Sequence, residues 1–186
     1  VANMSVLQKA GVNRRHFFAC SLGGIAISTA LVAGFLVFVI IRPTPAYDAR
    51  YLIPITGMIL GNCLRGNVLS LERFYSGIRD NEMTFLTYLM LGATLHEAVR
   101  PYLRNAMKAA TAPILSTMAT TGIVSLPGMM TGQILGGAPP ATAIKYQIAI
   151  MVCIFTAITL ATLLNILFSM RVAFDEYGML KSGLFH

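Results

Sequence analysis

The chain has 186 residues, of which 56% are hydrophobic and only 11% carry a charge. Soluble domains usually contain about 25% charged residues, so this composition excludes a soluble globular protein and, equally, a disordered one. The 14 Lys and Arg residues exceed the 7 Asp and Glu residues, giving a net charge of +7. An integral membrane protein is therefore predicted.

Charge-free runs mark the candidate membrane spans. Residues 16–41 and 146–170 lack Lys, Arg, Asp and Glu, and each run fits one tilted crossing of about 20 residues. The longer run, 109–144, must break, and Pro127–Gly128 and the glycines and prolines at 136–140 supply the break points. We predict an all-α polytopic bundle forming one domain over residues 1–186, with four spans at about 16–41, 46–71, 109–126 and 143–170.

The basic residues are asymmetrically distributed about these four spans. Ten of the fourteen Lys and Arg residues fall on one side, which the positive-inside rule makes cytoplasmic. Both ends of the chain are then cytoplasmic in a multi-pass inner-membrane protein, in contact with anionic lipid. Nucleic-acid binding is not expected, because it needs basic residues with interleaved aromatics on a folded face.

Residues 72–108 combine charge with an apolar run at 83–91 and are predicted to form a cytoplasmic coupling segment. Gly92 permits a turn, and Thr94 with Glu97 forms a capping-box pattern at the start of a helix near Leu95. Arg100, Arg104 and Lys108 then share one helical face. The segment is interpreted as a docking site for a soluble partner, with an amphipathic helix on the membrane surface as the alternative.

The stretch 125–132 is predicted to be irregular backbone at membrane depth, which is tolerated only where it is buried or lines a cavity. A substitution of Gly128 is therefore expected to be more harmful than one of Met129. The candidate residues of a translocation path are polar, irregular or soft-donor residues near the spans: Asn62, Ser125, Pro127, Gly128, Met129, Met130 and Gln147. The methionines can equally be packing residues, and the metal ligands remain unknown. Small-residue stripes, including Gly57 and Gly61, predict close helix packing.

Several segments together resemble one family. They occur in the order YLIPITGMILGN (51–62), LGAT (91–94), TGIVSLPGMMTG (121–132), GG (136–137) and AIKYQI (143–148). In this order and spacing they resemble the FetB-type permeases of ABC transporters, a family that includes a bacterial iron exporter and plant proteins linked to aluminium tolerance. The resemblance also implies that further membrane-spanning sequence precedes Val1.

The resemblance implies a homodimeric permease that works with two copies of a separate ATP-binding-cassette ATPase. Leu91, Gly92, Ala93, Thr94 and Glu97 would then couple the permease to that subunit. The chain is not expected to be an enzyme: no ATP-binding loop is present, and no bound cofactor is expected because ATP and Mg belong to the partner. The alternatives are a secondary transporter or channel, which the lack of acidic residues in the cores of the predicted spans disfavours, and a non-transporting scaffold subunit.

Overall fold

The computed structural model describes residues 14–41, 49–122 and 127–174, and within these ranges the fold is built from helices. The predicted all-α helical bundle is confirmed. A π-helical turn, Leu36–Ile41, extends the first helix. The helices are α1 (Arg14–Phe35), α2 (Ala49–Asp80), α3 (Glu82–Met90), α4 (Leu95–Thr120), α5 (Gly128–Leu135) and α6 (Pro140–Ala173).

Close contacts at glycines establish how the long helices run. A Cβ atom at Gly77 of α2 would lie 3.3 Å from Cδ1 of Tyr102, whereas one at Gly66 would lie 3.7 Å from the carbonyl oxygen of Ala110. Residue numbers fall along α2 as they rise along α4, so the two helices are antiparallel. The Gly66 position also meets Ile158 of α6, at 2.8 Å from its Cγ2 atom. Gly66 therefore lies at a close contact of α2 with both α4 and α6.

The core is divided into two clusters along the bundle. The first joins α1, α2, α4 and α6, and its buried residues include Leu36, Ile59, Ile114 and Ile154. The second joins α2, α3, α4 and α6 at the opposite end, around Phe74, Phe85, Val99 and Ile166. Because α2, α4 and α6 contribute to both clusters, these three helices run through the whole bundle, whereas α3 belongs to one end only.

Three helical segments within the described residues are long and apolar enough to cross a membrane: Ser21–Ile41, Leu52–Asp80 and Pro140–Arg171. They overlap the predicted spans 16–41, 46–71 and 143–170. The helix α2 continues to Asp80 and is about 48 Å long at 1.5 Å per residue, which exceeds a hydrocarbon core of about 30 Å. Its charged end therefore extends beyond the apolar layer.

The predicted span 109–126 lies in a helix that begins much earlier. The structure joins residues 95–108 and 109–120 into the continuous helix α4, and residues 123–126 lie outside the described ranges. Since Glu97, Arg100, Arg104 and Lys108 occupy its first half, α4 is not among the three segments that qualify by hydropathy. The segment 72–108 accordingly consists of the end of α2, all of α3 and the first half of α4.

The prediction of irregular backbone at 125–132 was wrong for its described part, because Gly128–Leu135 form the helix α5. Pro127 stands at the N-cap with φ −63°, where its missing N–H group costs nothing. Gly128 has a helical backbone, and a Cβ atom there would meet nothing within 4 Å. The expected sensitivity of Gly128 to substitution therefore has no basis in backbone conformation.

The glycines predicted to pack helices together, Gly57 and Gly61, do not contact another described helix. Gly57 and Gly61 are exposed, and a Cβ atom at either would meet nothing within 4 Å. The close approaches occur instead at Gly66 and at Gly24, whose Cβ position lies 2.8 Å from Oδ1 of Asn165. Small residues therefore do allow close helix packing in this bundle, but at Gly24 and Gly66 and not at Gly57 and Gly61.

Candidate coupling and translocation sites

The turn between α3 and α4 is a Schellman motif closed by Gly92. Its φ of +87° lies in the left-handed region that glycine adopts without a Cβ penalty. The Gly92 N–H group donates to the Leu89 carbonyl at 3.0 Å, and the Ala93 N–H group donates to the Tyr88 carbonyl at 3.0 Å. The predicted turn at Gly92 is present, and both residues after Leu91 help to end α3.

A capping box begins α4 immediately after this turn, as the sequence predicted. The Thr94 N–H group donates to Oε2 of Glu97 at 2.8 Å, and the Thr94 hydroxyl donates to the same oxygen at 2.7 Å. The Glu97 N–H group returns a longer bond of 3.4 Å to Oγ1 of Thr94. These hydrogen bonds, the one from the Thr94 hydroxyl first, hold the pKa of the Glu97 carboxyl below its ordinary value.

The helix α3 is anchored on one face and exposed on the other. Phe85 is buried, with its ring 6.4 Å from that of Tyr102 and 6.0 Å from that of Phe174. On the opposite face, Met90 and Leu91 expose 80% and 79% of their surface. Water does not favour such an apolar face on a short, anchored helix, so it is suited to contact another protein or a membrane. We call the residues Met83, Met90 and Leu91 the α3 face.

The described members of the predicted translocation path are distributed over α2, α5 and α6. The Asn62 amide donates to the Met58 carbonyl of its own helix at 2.8 Å, so it is not displayed toward a shared site. Met129 is half-buried against the first core cluster, and Met130 is half-buried in α5. Gln147 is buried in α6 with no hydrogen-bond partner for its Oε1 atom among the described residues. Ser125 lies outside those residues.

Two buried asparagines were absent from the predicted site. Asn67 donates through Nδ2 to the Ser21 hydroxyl of α1 at 2.8 Å. Asn165 is only 1% exposed, and neither its Oδ1 nor its Nδ2 atom has a hydrogen-bond partner within the described part of the chain. Polar side chains inside apolar spans are costly and mark functional positions by default, and this sequence signal could have identified both residues.

No group of three His, Cys, Asp or Glu side chains that could hold a metal ion occurs in residues 14–41, 49–122 and 127–174. Within these ranges, polar groups of the apolar core are neutral amides and hydroxyls, such as those of Asn67, Ser70 and Asn165. The arrangement is that of a polytopic helical membrane protein with an exposed apolar helix face and a hydrogen-bonded turn at one end.

The chain belongs to the uncharacterised protein family UPF0014, whose family model matches residues 1–174. A UPF0014 membrane protein of Synechocystis is 41% identical over 84% of this chain and 60% of its own length. The probable iron export permease protein FetB of Escherichia coli is 32% identical over 80% of this chain and 54% of its own length. The protein ALUMINUM SENSITIVE 3 of Arabidopsis thaliana is 29% identical over 88% and 60% respectively.

These matches confirm the resemblance to FetB-type permeases that the sequence motifs indicated. The chain spans between about half and three-fifths of the length of these curated relatives. No solved structure matches it.

Proposed function

We propose that the chain belongs to the membrane-spanning permease subunit of an ABC transporter that exports a metal ion such as iron, driven by a separate ATPase subunit. The proposal draws on the similarity to the probable iron export permease protein of Escherichia coli. In this proposal the permease is a homodimer in the inner membrane, both ends of this chain face the cytoplasm, and ATP and Mg bind to the partner subunit.

The observation that carries the proposal is the α3 face beside a rigid turn. A coupling site must expose apolar contacts to a soluble subunit and pass the force of its movement to the bundle. Leu91 supplies such a contact, while Phe85 ties the same helix to the second core cluster. The capping box then connects the turn to α4, whose Ala110 and Ile114 reach the first core cluster.

The cargo is proposed to pass through the bundle near the buried amides and Met129. Among the described residues, neutral amides and the thioether of Met129 are available there to contact the cargo. Asn62, Ser125, Pro127, Gly128, Met130 and Gln147 remain the other proposed residues of the path.

The test is co-expression of the tagged protein with an ABC ATPase encoded by an adjacent gene. Leu91→Gln removes an apolar contact from the α3 face, and Leu135→Gln is the matched control, because that leucine is 83% exposed at the end of α5. We expect Leu91→Gln to lower ATPase retention and ATP-dependent iron efflux from cells, and Leu135→Gln to preserve both.

Other results would contradict parts of the proposal. Iron flux that persists without any ATPase would identify a secondary transporter or channel. Retention of the ATPase without flux of iron would favour a scaffold subunit. Equal retention by the two leucine variants would place the docking site elsewhere on the molecule.

A further inference from the structure

A groove of about 760 Å³ opens between α3, α4 and α6; the proposed coupling uses Glu97 at its rim but neither its arginines nor its apolar wall. Its lining combines two arginines with a largely apolar wall: Tyr88, Glu97, Arg100, Pro101, Leu103, Arg104, Met107 and Leu163. We infer that this groove binds an acidic phospholipid, with the phosphate at Arg100 and Arg104 and an acyl chain along Leu103, Met107 and Leu163.

The charge in the groove favours an anion. Arg100 and Arg104 are one helical turn apart on α4, and neither forms an ion pair with a carboxylate of the described residues. The nearby Glu97 carboxylate is already held by Thr94. Two arginines set one turn apart present several N–H donors to a single phosphate group.

The depth of the groove favours a lipid over a soluble partner. Leu163 belongs to the candidate span Pro140–Arg171 and precedes its last residue by eight positions, or about 12 Å of helix. The apolar wall therefore extends from the charged end of the bundle along a membrane-spanning helix toward the hydrocarbon layer, which favours an acyl chain over a soluble subunit. Tyr88 completes the rim, and tyrosine is enriched at the headgroup level of membranes.

Basic grooves between membrane helices bind the headgroups of anionic lipids, with about 1 kcal/mol for each Lys or Arg near the surface. Two arginines then correspond to roughly a tenfold to thirtyfold preference for a charged lipid over a zwitterionic one. The inference does not depend on the ATPase or on the cargo, because it uses only the membrane position of α6 and the charges of α4.

The experiment uses the purified, delipidated protein in detergent, to which phosphatidylglycerol or phosphatidylcholine is added, with bound lipid counted by native mass spectrometry. We expect the wild type to retain phosphatidylglycerol at least about tenfold more strongly than phosphatidylcholine. The double variant Arg100→Gln/Arg104→Gln should lose that preference. The charge-matched control Arg73→Gln/Arg171→Gln, whose arginines are exposed and do not line the groove, should keep it.

Two further arms separate the lipid from other anionic ligands. Leu163→Trp fills the apolar wall and should lower the retention of both lipids, whereas glycerol phosphate without acyl chains should not displace bound phosphatidylglycerol. Displacement by glycerol phosphate would overturn the inference in favour of a soluble anion. It would also be overturned if the Arg100→Gln/Arg104→Gln variant kept its lipid preference but lost the ATPase, because the groove would then dock an acidic protein surface.

Discussion

The amide of Asn165 lies against Gly24 in the core between α6 and α1, without a hydrogen-bond partner among the described residues. A buried polar atom that lacks a partner costs about 1–3 kcal/mol. Asn67, in contrast, forms a 2.8 Å hydrogen bond to Ser21 across the interface between α2 and α1. Asn67 therefore stabilises the folded state through an interhelical hydrogen bond, whereas the buried amide of Asn165 destabilises it.

This difference predicts opposite effects of the same substitution. Asn165→Leu removes no hydrogen bond and keeps a similar volume, so thermal unfolding in detergent should be unchanged or shifted to a higher temperature. Asn67→Leu leaves the Ser21 hydroxyl without this hydrogen bond and should lower the free energy of unfolding by about 1–3 kcal/mol. If Asn165→Leu leaves stability intact and abolishes transport, the buried amide serves the cargo. A large loss of stability from Asn165→Leu would show that its amide has a partner in the native protein.

Gly66 provides a second prediction at the scale of one residue. A Cβ atom there would approach Cγ2 of Ile158 to 2.8 Å, so Gly66→Val should destabilise the bundle by about 1–3 kcal/mol through overpacking. Gly57→Val is the matched control, because both glycines lie in α2 and nothing lies within 4 Å of the Gly57 Cβ position. Unfolding temperatures in detergent measure the difference, and equal values for the two variants would contradict the close packing at Gly66.

At the scale of elements, the α3–α4 turn is where the sequence was most informative. Its structure depends on local rules: a glycine with positive φ ends one helix, and a threonine with a glutamate three residues later begins the next. The same rules explain the end of α5, where Gly137 has a φ of +90° and the chain restarts at Pro140. Contacts between distant segments, such as Gly24 with Asn165, follow from helix rotation and were not predictable from spacing.

Removing the capping box should weaken this element without unfolding the bundle. The double variant Thr94→Ala/Glu97→Ala loses the hydrogen bonds between these residues, and an N-cap of this kind contributes about 0.5–2 kcal/mol. We expect normal membrane insertion, lower retention of the ATPase and slower transport-stimulated ATP hydrolysis. Normal coupling in this variant would show that residues 94–97 serve only as the beginning of a helix.

The pH dependence of the same cap follows from the lowered pKa of Glu97. A depressed pKa in the folded state stabilises that state above the ordinary pKa of glutamate, and the contribution is lost as the pH falls through the folded-state value. This loss occurs below the ordinary pKa of glutamate. The stability that the capping box contributes should therefore be constant from about pH 5 to about pH 8. Retention of the ATPase by the wild type should therefore be constant across this range. The Glu97→Ala variant should show an equally flat pH profile.

At the scale of the whole molecule, the decisive question is whether α4 crosses the membrane beside α2. It packs antiparallel to α2 through both core clusters, which supports four crossings. The charges in its first half, however, make α4 less apolar than the three candidate spans. A hydropathy count and a packing pattern thus give different numbers of crossings. Sequence reasoning separated 72–108 from 109–126 because it followed the charges, whereas the helix continues through both segments.

Cysteine labelling in intact cells tests the orientation. In a variant without native cysteines, Asp80→Cys should resist an impermeant thiol reagent if the end of α2 is cytoplasmic. Ala138→Cys, in the connection between α5 and α6, should react if that connection lies outside. Permeabilised cells provide the control for accessibility. The reverse labelling pattern would show that the chain has the opposite orientation in the membrane. The α3 face would then lie outside the cytoplasm.

The exposed α3 face has a consequence for the amount of protein in the cell. Chaperones and proteases recognise uncovered apolar surface, so a permease that has not met its ATPase would present a degradation signal at Met90 and Leu91. In cells that lack the ATPase, the steady-state level of the wild-type protein should fall, and Leu91→Gln should restore part of it. The surface proposed to couple the two subunits would then also maintain their stoichiometry after translation.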